Sequence, residues 1–284
     1  MKAPPFAYAR ARSLAEVFEL LAAHGDGAKL LAGGQSLIAT LNMRLSSPRL
    51  LVDITRLTEL SGVQVRDGVV RIGALTTHAE IEHSPEIRRH LPLLAQAAPH
   101  IAHPAIRNVG TLGGSIALAD PAAEWPACCV ALDAQFVIVG RTGTRRVAAR
   151  EFFKGLYATA LDPAEVLTRV EIGIPGPDCR SAFVELAQRR GDYAIAGLAA
   201  VAKRTGDVLS EVRLAYLGMG PTPVLARGAM AAMEGKRAVA DAIAAASEAL
   251  SRDLDPAPDL YSSAATKMHL ARVLTSRALV ALAA

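Results

Sequence analysis

Cysteine is scarce in this chain. Its 284 residues include three cysteines, of which Cys128 and Cys129 are neighbours and Cys179 is distant. They form no C-x-x-C pair, and an iron–sulfur cluster normally needs four thiolates. The sequence therefore excludes a disulfide framework and a cluster held by this chain alone, and it predicts buried free thiols.

Aromatic side chains and lysines are also few. Aromatic residues make up 4% of the chain, and six of its 31 basic residues are lysines. Single-stranded nucleic acid is bound largely by stacking on aromatic rings, which are poorly supplied here. We expect no nucleic-acid partner, and we interpret the arginine clusters at 141–150 and 189–190 as a solvated face or a subunit contact.

No apolar run in the sequence is long enough to cross a membrane. The longest, at 193–202, has about half of the ~20 residues that a bilayer crossing requires. The first residues, MKAPPFAYARARS, carry charge and proline where a signal peptide carries its apolar segment. These features predict a cytoplasmic protein without a membrane span.

The chain is rich in apolar residues instead. It is 51% apolar and 20% charged, a composition that predicts a globular protein. Its length is about 1.9 times the ~150 residues of a single domain, so one large domain or two modest ones are expected. The sequence PGP at 175–177 is a strong break, and it predicts a domain boundary at about residue 176.

Residue spacing predicts an α+β fold. Ser13 with Glu16, and Thr77 with Glu80, have the spacing of capping boxes, in which each side chain satisfies a free backbone donor of the other residue. Strands and helices alternate in the first half of the chain. The predicted helices are 13–24, 37–44, 239–250 and 264–282, and the predicted strands are 28–31, 49–54, 69–74, 135–140, 166–174 and 212–217.

The segment 104–126 has no clear periodicity. It contains glycine, proline, serine and aspartate, yet most of it is apolar or small, whereas ordinary surface loops are more polar. A weakly polar, glycine-rich segment needs partners for its backbone groups. We therefore expect a long loop that wraps around a bound ligand.

Two Gly-Gly sites, AGGQS at 32–36 and TLGGS at 111–115, each place a hydroxyl beside bare backbone. Without a Cβ, consecutive N–H groups can approach a phosphate, and serine or threonine adds a neutral donor. Neither site matches the Rossmann or P-loop pattern. Each alone is also compatible with a tight turn, but the two together favour binding of a dinucleotide from both sides.

The residues now point to a family. AGGQSL at 32–37, IAHPAIRNVGTLGGSIALADPAAE at 101–124, RRGDYAIAG at 189–197 and HLARVLTSRAL at 269–279 resemble the FAD-binding medium subunit of the molybdenum hydroxylases. The resemblance covers essentially the whole chain. It implies a FAD-binding domain of the vanillyl-alcohol-oxidase (PCMH) type at 1–176, with α/β subdomains at about 1–56 and 57–176. A C-terminal α+β domain at 177–284, with a three-stranded antiparallel sheet and helices, is expected to follow.

The resemblance also implies the residues that bind FAD, without a covalent bond. The segment 29–37, here called the first segment, is expected to bind the diphosphate through main-chain N–H groups. The segment 111–115, here called the second segment, is expected to contact the phosphates and the ribityl chain. Glu124 would accept hydrogen bonds from ribityl hydroxyls, Asp192 and Tyr193 would lie near the isoalloxazine ring, and Leu167 near the adenine or flavin edge. The expected set is Lys29, Leu30, Leu31, Ala32, Gly33, Gly34, Gln35, Ser36, Leu37, Thr111, Gly113, Gly114, Ser115, Ala117, Glu124, Leu167, Asp192 and Tyr193.

Other interpretations of these residues remain open at this point. Glu124 is compatible with a helix-start carboxylate, Asp192 with a turn, Tyr193 with core packing, and Ser36 and Thr111 with simple helix caps. The chain also departs from the family pattern at four positions. Ser115 replaces a frequent Asn, Leu118 a frequent His and Val109 a frequent Arg, and Glu185 lies near a position where several relatives carry Lys.

The resemblance implies a redox subunit that works within a complex. It would accept electrons from a small [2Fe–2S] subunit and pass them to an external acceptor, while a large molybdopterin subunit oxidises the substrate; no side chain here is expected to be catalytic. Such subunits usually assemble as dimers of heterotrimers. A self-sufficient FAD-dependent oxidase of the same fold is the alternative. A scaffold that has lost FAD is disfavoured by the two intact glycine sites.

Overall fold

The computed structural model of this protein describes residues 2–284, and it begins with a small parallel sheet. The strands lie in the order β1–β3–β2, and both outer strands run parallel to β3. Val17 and Leu21 of the first helix pack against Leu50 and Val52 of the central strand. The elements are β1 (Ala7–Arg10), α1 (Leu14–His24), β2 (Ala28–Leu31), α2 (Leu37–Asn42) and β3 (Leu50–Asp53), with a 3₁₀ turn at Gly25–Gly27.

A second sheet of five antiparallel strands follows, in the order β4–β5–β10–β6–β7. Several short helices connect its strands. The elements are β4 (Val63–Arg66), β5 (Val69–Gly73), α3 (His78–His83), α4 (Pro85–His90), α5 (Pro92–Ala97), α6 (Pro104–Arg107), α7 (Leu112–Leu118), α8 (Glu124–Ala131), β6 (Gln135–Gly140), β7 (Gly143–Ala148), α9 (Ala149–Phe152), β8 (Phe153–Gly155), β9 (Ala158–Thr159) and β10 (Val166–Gly173), with 3₁₀ turns at Thr58–Leu60 and Ala98–His100.

The C-terminal part is built on three long antiparallel strands in the order β11–β12–β13, which two strands of two residues extend. The expected antiparallel sheet with helices is thus confirmed, and so is the α+β fold class. The elements are β11 (Cys179–Ala187), β12 (Ala194–Thr205), β13 (Val208–Leu217), β14 (Val224–Leu225), α10 (Arg227–Met233), β15 (Lys236–Arg237), α11 (Ala240–Asp253) and α12 (Ala264–Ala283).

The C-terminal sheet is buried on both faces. Phe183, Val201 and Leu217 belong to the same apolar cluster as Trp125 of α8 and Phe136 of β6. The other face packs against α10, α11 and α12 through a second cluster. Because both faces are covered, β12 is apolar along most of its length and shows no alternation, which is why the sequence did not reveal β12 as a strand.

Two expectations need correction. The segment 104–126 is not a long irregular loop, since it forms α6, α7 and the start of α8, which are too short for an apolar repeat to be visible.

The first capping box, that of Ser13 and Glu16, is only half formed. Ser13 accepts from the N–H of Glu16, but the Glu16 carboxylate accepts from the N–H of Arg12 rather than from that of Ser13. The box of Thr77 and Glu80 is complete.

No helix within 2–284 is both long and apolar enough to span a membrane.

A buried hydrogen bond fastens the last helix to the C-terminal sheet, and its removal gives a first prediction. The Thr275 hydroxyl donates to the Ala271 carbonyl at 2.6 Å, so the Tyr216 hydroxyl donates to Thr275 Oγ1, also at 2.6 Å. We expect Tyr216→Phe to lower the free energy of unfolding by about 0.5–1.5 kcal/mol, measured by denaturant titration. Tyr261→Phe, at a side chain 77% exposed, is the control; equal stabilities of the two variants would contradict the role of this bond.

Candidate functional site

The structure brings the two Gly-Gly sites into contact. A Cβ on Gly33 would lie 2.7 Å from the Cα of Gly110, and it would overlap the Val109 carbonyl oxygen. The backbone of the first segment therefore lies directly against Val109 and Gly110, which immediately precede the second segment at 111–115. A Cβ on Gly114 would lie 4.0 Å from that of Ala32, so the segments also face each other one turn further along.

The first segment presents unused backbone donors. Lys29, Leu30 and Leu31 belong to β2, and the chain leaves the sheet after Leu31, whose carbonyl accepts from Ile54. Within the described part of the chain, the main-chain N–H groups of residues 32–37 donate no hydrogen bond. Gly34 has φ +71°, the left-handed conformation that lets successive N–H groups line a concave surface. The segment offers a row of donors to an anion.

The second segment uses its backbone differently. Leu112 N–H donates to Thr76, Gly113 N–H to Ala74 at 2.8 Å, and Ser115 N–H to the Thr111 carbonyl. The N–H of Gly114 donates to Thr111 Oγ1 at 3.1 Å, and among the described residues only the N–H of Thr111 has no acceptor in this segment. The segment therefore offers a ligand mainly hydroxyl groups, together with the N–H of Thr111. Thr111 is a helix cap, as one interpretation had it, but its hydroxyl proton is still available for donation.

Gly113 and Gly114 of the second segment are needed for two different structural reasons. A Cβ on Gly113 would lie 2.5 Å from the Ala74 Cβ, so this glycine allows α7 to pack against the end of β5. A Cβ on Gly114 would lie 2.8 Å from Thr111 Oγ1 and would disturb the cap. Gly114 and Ala117 are exposed and Ser115 is half-buried, so the outer side of α7 faces the first segment and the solvent.

A buried histidine–tryptophan pair supports the second segment from behind. Trp125 Nε1 donates to His78 Nδ1 at 2.9 Å, and the Trp125 side chain is fully buried. On the other side of the ring, a Cβ on Gly110 would lie 2.8 Å from His78 Nε2. Burial and the positive charge of Arg107 lower the pKa of His78 to about 4, so the ring is neutral and accepts from Trp125.

Three acidic side chains lie at the other end of the site. Glu124 is the first residue of α8, and burial together with the charge of Asp120 raises the pKa of Glu124 to about 7. Asp120 accepts from the Ala122 N–H at 2.9 Å and from the Tyr157 hydroxyl at 3.3 Å. The third acid, Glu185 of β11, also has a buried side chain.

The sequence analysis assigned no role to Asp120, Tyr157 or His78. Asp120 could have been identified from the sequence, because it lies in the ADPAAE motif at 119–124.

The third motif forms a turn that packs on the second. The Asp192 N–H donates to the Arg189 carbonyl at 3.1 Å, and the Asp192 carboxylate accepts from Arg189 Nε at 3.2 Å. Gly191 has φ +86°, and a Cβ there would lie 2.8 Å from the Ala102 carbonyl. Asp192 thus has the turn role that one interpretation gave it, a role that leaves its second carboxylate oxygen available.

Tyr193 projects from this turn. Its side chain is 68% exposed, which excludes core packing as its role. Partial desolvation of the hydroxyl and the charges of Asp120 and Glu124 raise the pKa of Tyr193, so the hydroxyl lies near the acidic residues. An exposed ring beside a cleft is available to cover a planar ligand.

Leu167 lies deeper than the other expected residues. Its side chain is 5% exposed and packs in the central apolar cluster, whereas Val166 packs against the first sheet. The next residue, Thr168, accepts from the Ala74 N–H, and Ala74 accepts from Gly113. Leu167 is thus linked to the second glycine segment through the backbone, and its side chain serves packing.

Comparison with known families places the whole chain. Residues 4–175 match the family described as the FAD binding domain in molybdopterin dehydrogenase. Residues 181–282 match the CO dehydrogenase flavoprotein C-terminal domain. The resemblance inferred from the sequence motifs is thereby confirmed.

Similar proteins of known role cover nearly the full length. The carbon monoxide dehydrogenase medium chain of Hydrogenophaga pseudoflava is 37% identical over 97% of this chain and 96% of its own. The 6-hydroxypseudooxynicotine dehydrogenase complex subunit alpha of Paenarthrobacter nicotinovorans is 39% identical over 98% of this chain and 95% of its own. Among solved structures, a carbon monoxide dehydrogenase of H. pseudoflava that lacks the Mo-pyranopterin moiety matches with a TM-score of 0.97 at 39% identity, covering 99% of this chain and 98% of that chain.

The buried His78 gives a prediction about pH. Its pKa falls from 6.5 in the unfolded chain to about 4 in the fold, so the stability it contributes is full above pH 6.5 and is lost as the pH falls towards 4. His78→Gln keeps an acceptor for Trp125 but does not titrate. We expect the difference in free energy of unfolding between the wild type and this variant to fall by about 1.4 kcal/mol per pH unit across that window.

Denaturant titrations of the FAD-free protein at a series of pH values measure this difference. The exposed His269→Gln is the matched control, and its difference from the wild type is expected to stay constant. Parallel pH profiles for the wild type and the His78 variant would contradict a neutral, buried His78.

Proposed function

Because the chain belongs to the family of FAD-binding domains in molybdopterin dehydrogenases, we propose that it is the electron-transfer subunit of a molybdenum hydroxylase. Bound FAD supplies the redox chemistry, accepting electrons from an iron–sulfur partner and yielding them to an external acceptor. The residues of this chain bind and orient the cofactor and set its electrostatic surroundings. None of them needs to act as an acid, a base or a nucleophile toward the substrate.

The observation that carries this proposal is the contact between the two glycine segments. The row of N–H groups at 32–37 has no acceptor among residues 2–284, and it lies against a segment whose available groups are hydroxyls and the N–H of Thr111. Partly exposed backbone donors that no protein group uses, such as those that lead into a helix, are free to bind a ligand or solvent. A diphosphate matches such a double surface, because it carries negative oxygens on two sides.

The division of labour follows from these groups. In the proposed site, the segment 29–37 binds the diphosphate through its backbone N–H groups and the Ser36 hydroxyl. The N–H donors are those of Ala32, Gly33, Gly34, Gln35, Ser36 and Leu37, and Lys29, Leu30 and Leu31 precede them in β2. The hydroxyls of Thr111 and Ser115 bind the diphosphate from the other side, where Gly113, Gly114 and Ala117 keep α7 close. Glu124 accepts from the ribityl chain, Asp192 and Tyr193 lie at the isoalloxazine ring, and Leu167 stands behind the cofactor edge.

The proposed complex contains a small [2Fe–2S] subunit and a large molybdopterin subunit, as a dimer of heterotrimers. Support comes from the cysteines, since Cys128, Cys129 and Cys179 are all free and Cys128 and Cys129 are fully buried. Clusters that feed electrons to this chain therefore need thiolates from another chain. Two similar proteins carry the names "medium chain" and "complex subunit", which also favours this function over a self-sufficient oxidase.

Two further parts of the proposal concern location and domains. Free thiols are typical of a reducing compartment, which supports a cytoplasmic protein. The two family matches, at 4–175 and 181–282, leave a gap around the PGP break, which supports domains at 1–176 and 177–284. The two sheets at 1–56 and 57–176 support the division of the first domain into subdomains.

Ser36 offers a direct test of the diphosphate site. Its side chain caps no helix and forms no hydrogen bond with any of the described residues, so Ser36→Ala costs the fold little. Loss of one hydrogen bond to a charged phosphate costs about 1.5–3 kcal/mol. We expect the Kd for FAD to rise roughly 10- to 150-fold, measured by titration of the FAD-free protein with FAD and the quenching of flavin fluorescence.

Ser47→Ala is the matched control, because Ser47 is exposed and lies outside the segment. Its Kd is expected to equal that of the wild type. Equal Kd values for the Ser36 variant and the wild type would remove Ser36 from the site. A wild-type protein that fails to bind FAD at all would overturn the proposed function.

The partners are tested by purification of the tagged chain from the cells that produce it naturally. We expect two further chains to co-purify, together with molybdenum and iron in a ratio that metal analysis can determine. The preparation is expected to be yellow and to release intact FAD on acid treatment, because no covalent attachment is proposed. A chain that purifies alone with full oxidase activity would favour the alternative.

A further inference from the structure

Glu185 is a buried acid that has no role in the proposed binding of FAD. It pairs with Gly197 in the C-terminal sheet, and its side chain lies on the same face as Phe183, which packs in the central cluster. The Glu185 side chain is 3% exposed, and within residues 2–284 its Oε2 atom has no hydrogen-bond partner. A buried carboxylate with an unpaired oxygen is costly, whereas the protonated form carries no charge.

The surroundings of Glu185 favour this protonated form. The titratable groups that face it are Glu124 and Cys128 of α8, and His100 of the turn at Ala98–His100. Burial and the negative charge of Glu124 raise the pKa of Glu185 to about 8. Burial likewise raises the pKa of the Cys128 thiol, so it stays protonated and adds no charge. At neutral pH, Glu185 therefore holds a proton.

His100 connects this proton with the solvent. Its Nδ1 lies 4.0 Å from Glu185 Oε1, and its side chain is 38% exposed. The ring is fixed by an edge contact with Phe183, at 5.1 Å between centroids. Burial and the charge of Arg190 lower the pKa of His100, so the ring is neutral at neutral pH. A neutral imidazole accepts a proton on one nitrogen and donates one from the other, which suits it to pass protons.

On its inner side Glu185 faces the acidic end of the FAD site. Cys128 lies one turn after Glu124 on α8, and the charges of both Glu124 and Glu185 act on its thiol. Glu124 in turn lies close to Asp120 and Tyr193. His100, which is 38% exposed, thus lies on the solvent side of Glu185, and Glu124 is close enough for its charge to act on Glu185.

We propose that His100 and Glu185 form a proton path along which Glu185 takes up a proton from solvent when electrons arrive at the acidic end of the site. This inference rests on the proposed function, because it requires FAD in the cleft. Negative charge that arrives with the electrons strengthens the proton affinity of nearby carboxylates. A proton from solvent then binds one nitrogen of His100, the other nitrogen gives its proton to an ionised Glu185, and an O–H bond forms on the carboxylate. No bond to carbon is made or broken, and the electrons come from the one-electron donor partner.

The proposal has a definite pH dependence. Below pH 6 both carboxylates are protonated before electrons arrive, so they take up nothing more. Above about pH 8 Glu185 is ionised beforehand, and it takes up a proton during reduction. The part of this uptake that is due to Glu185 is bounded by about one proton per two electrons, since it is a single carboxyl group.

The test compares the FAD-loaded wild-type chain with Glu185→Gln, which mimics the protonated acid but does not titrate. Reductive titrations with a reference dye at pH 6 to 9 give the equilibrium constant of two-electron reduction. The two proteins are expected to agree at pH 6. Above pH 8 reduction of the variant is expected to be favoured over that of the wild type, with a ratio of equilibrium constants that grows by up to about tenfold per pH unit.

Glu211→Gln is the matched control, because it removes the same charge from an exposed side chain of the same sheet. Its ratio to the wild type is expected to stay constant with pH. A constant ratio for the Glu185 variant as well would overturn the proposal. FAD occupancy is measured separately from the visible spectrum, so a failure to bind FAD counts against the proposed function and not against the proton path.

The wild type alone provides a second measurement in case the variant does not load FAD. At pH 8.5 a pH-indicator dye is expected to report clearly more protons per two electrons than the one, roughly, that reduction of FAD itself consumes at this pH; uptake of no more than that would overturn the proposal. The role of His100 is tested kinetically. His100→Gln is expected to slow proton uptake several-fold while leaving the equilibrium constants unchanged, and an unchanged rate would remove His100 from the path.

Discussion

The close approach of two backbone segments is the constraint on which the rest of this structure depends. Gly33 lies so near Val109 and Gly110 that no side chain fits between them. The first segment belongs to the parallel sheet and the second to the helices of the antiparallel sheet, so the contact fixes how these two units sit together. The contact also determines which groups line the cleft, because backbone that packs this tightly has room for N–H groups but not for bulky side chains.

The second segment tolerates this contact because it is held from three sides. Four of its five N–H groups donate to Thr76, Ala74 and Thr111, and the neutral His78 ring fills the space beside Gly110 while accepting from Trp125. Trp125 directly follows Glu124, so the same buried pair that supports the glycine turn also positions the acid at the start of α8. The proposed phosphate end and the acidic end of the site thus share the support of one side chain, Trp125.

Local sequence was sufficient for the parts of the site that depend on local chemistry. The bare backbone and hydroxyls at 32–36 and 111–115 are visible in the letters themselves, and most strands and helices follow from spacing. What was hidden depends on distant partners. The use of the Gly113 N–H by Ala74, the pairing of Trp125 with His78 across 47 residues, and the burial of Glu185 against α8 require the fold. The helices at 104–118 escaped because four to seven residues are too few to show a period.

The charge distribution along the cleft explains why acidic side chains are tolerated beside an anionic cofactor. At the proposed phosphate end, uncharged N–H and hydroxyl dipoles would stabilise negative charge, and such an attraction is short-ranged and directional. At the other end, burial raises the pKa of Glu124 to about 7 and that of Glu185 to about 8. At neutral pH Glu185 is therefore mostly protonated and Glu124 is partly so, and the full negative charge of the pair appears only as the pH rises. An acid that is neutral at rest can share a cleft with an anion, and because it titrates near neutral pH it also responds when the charge in that cleft changes.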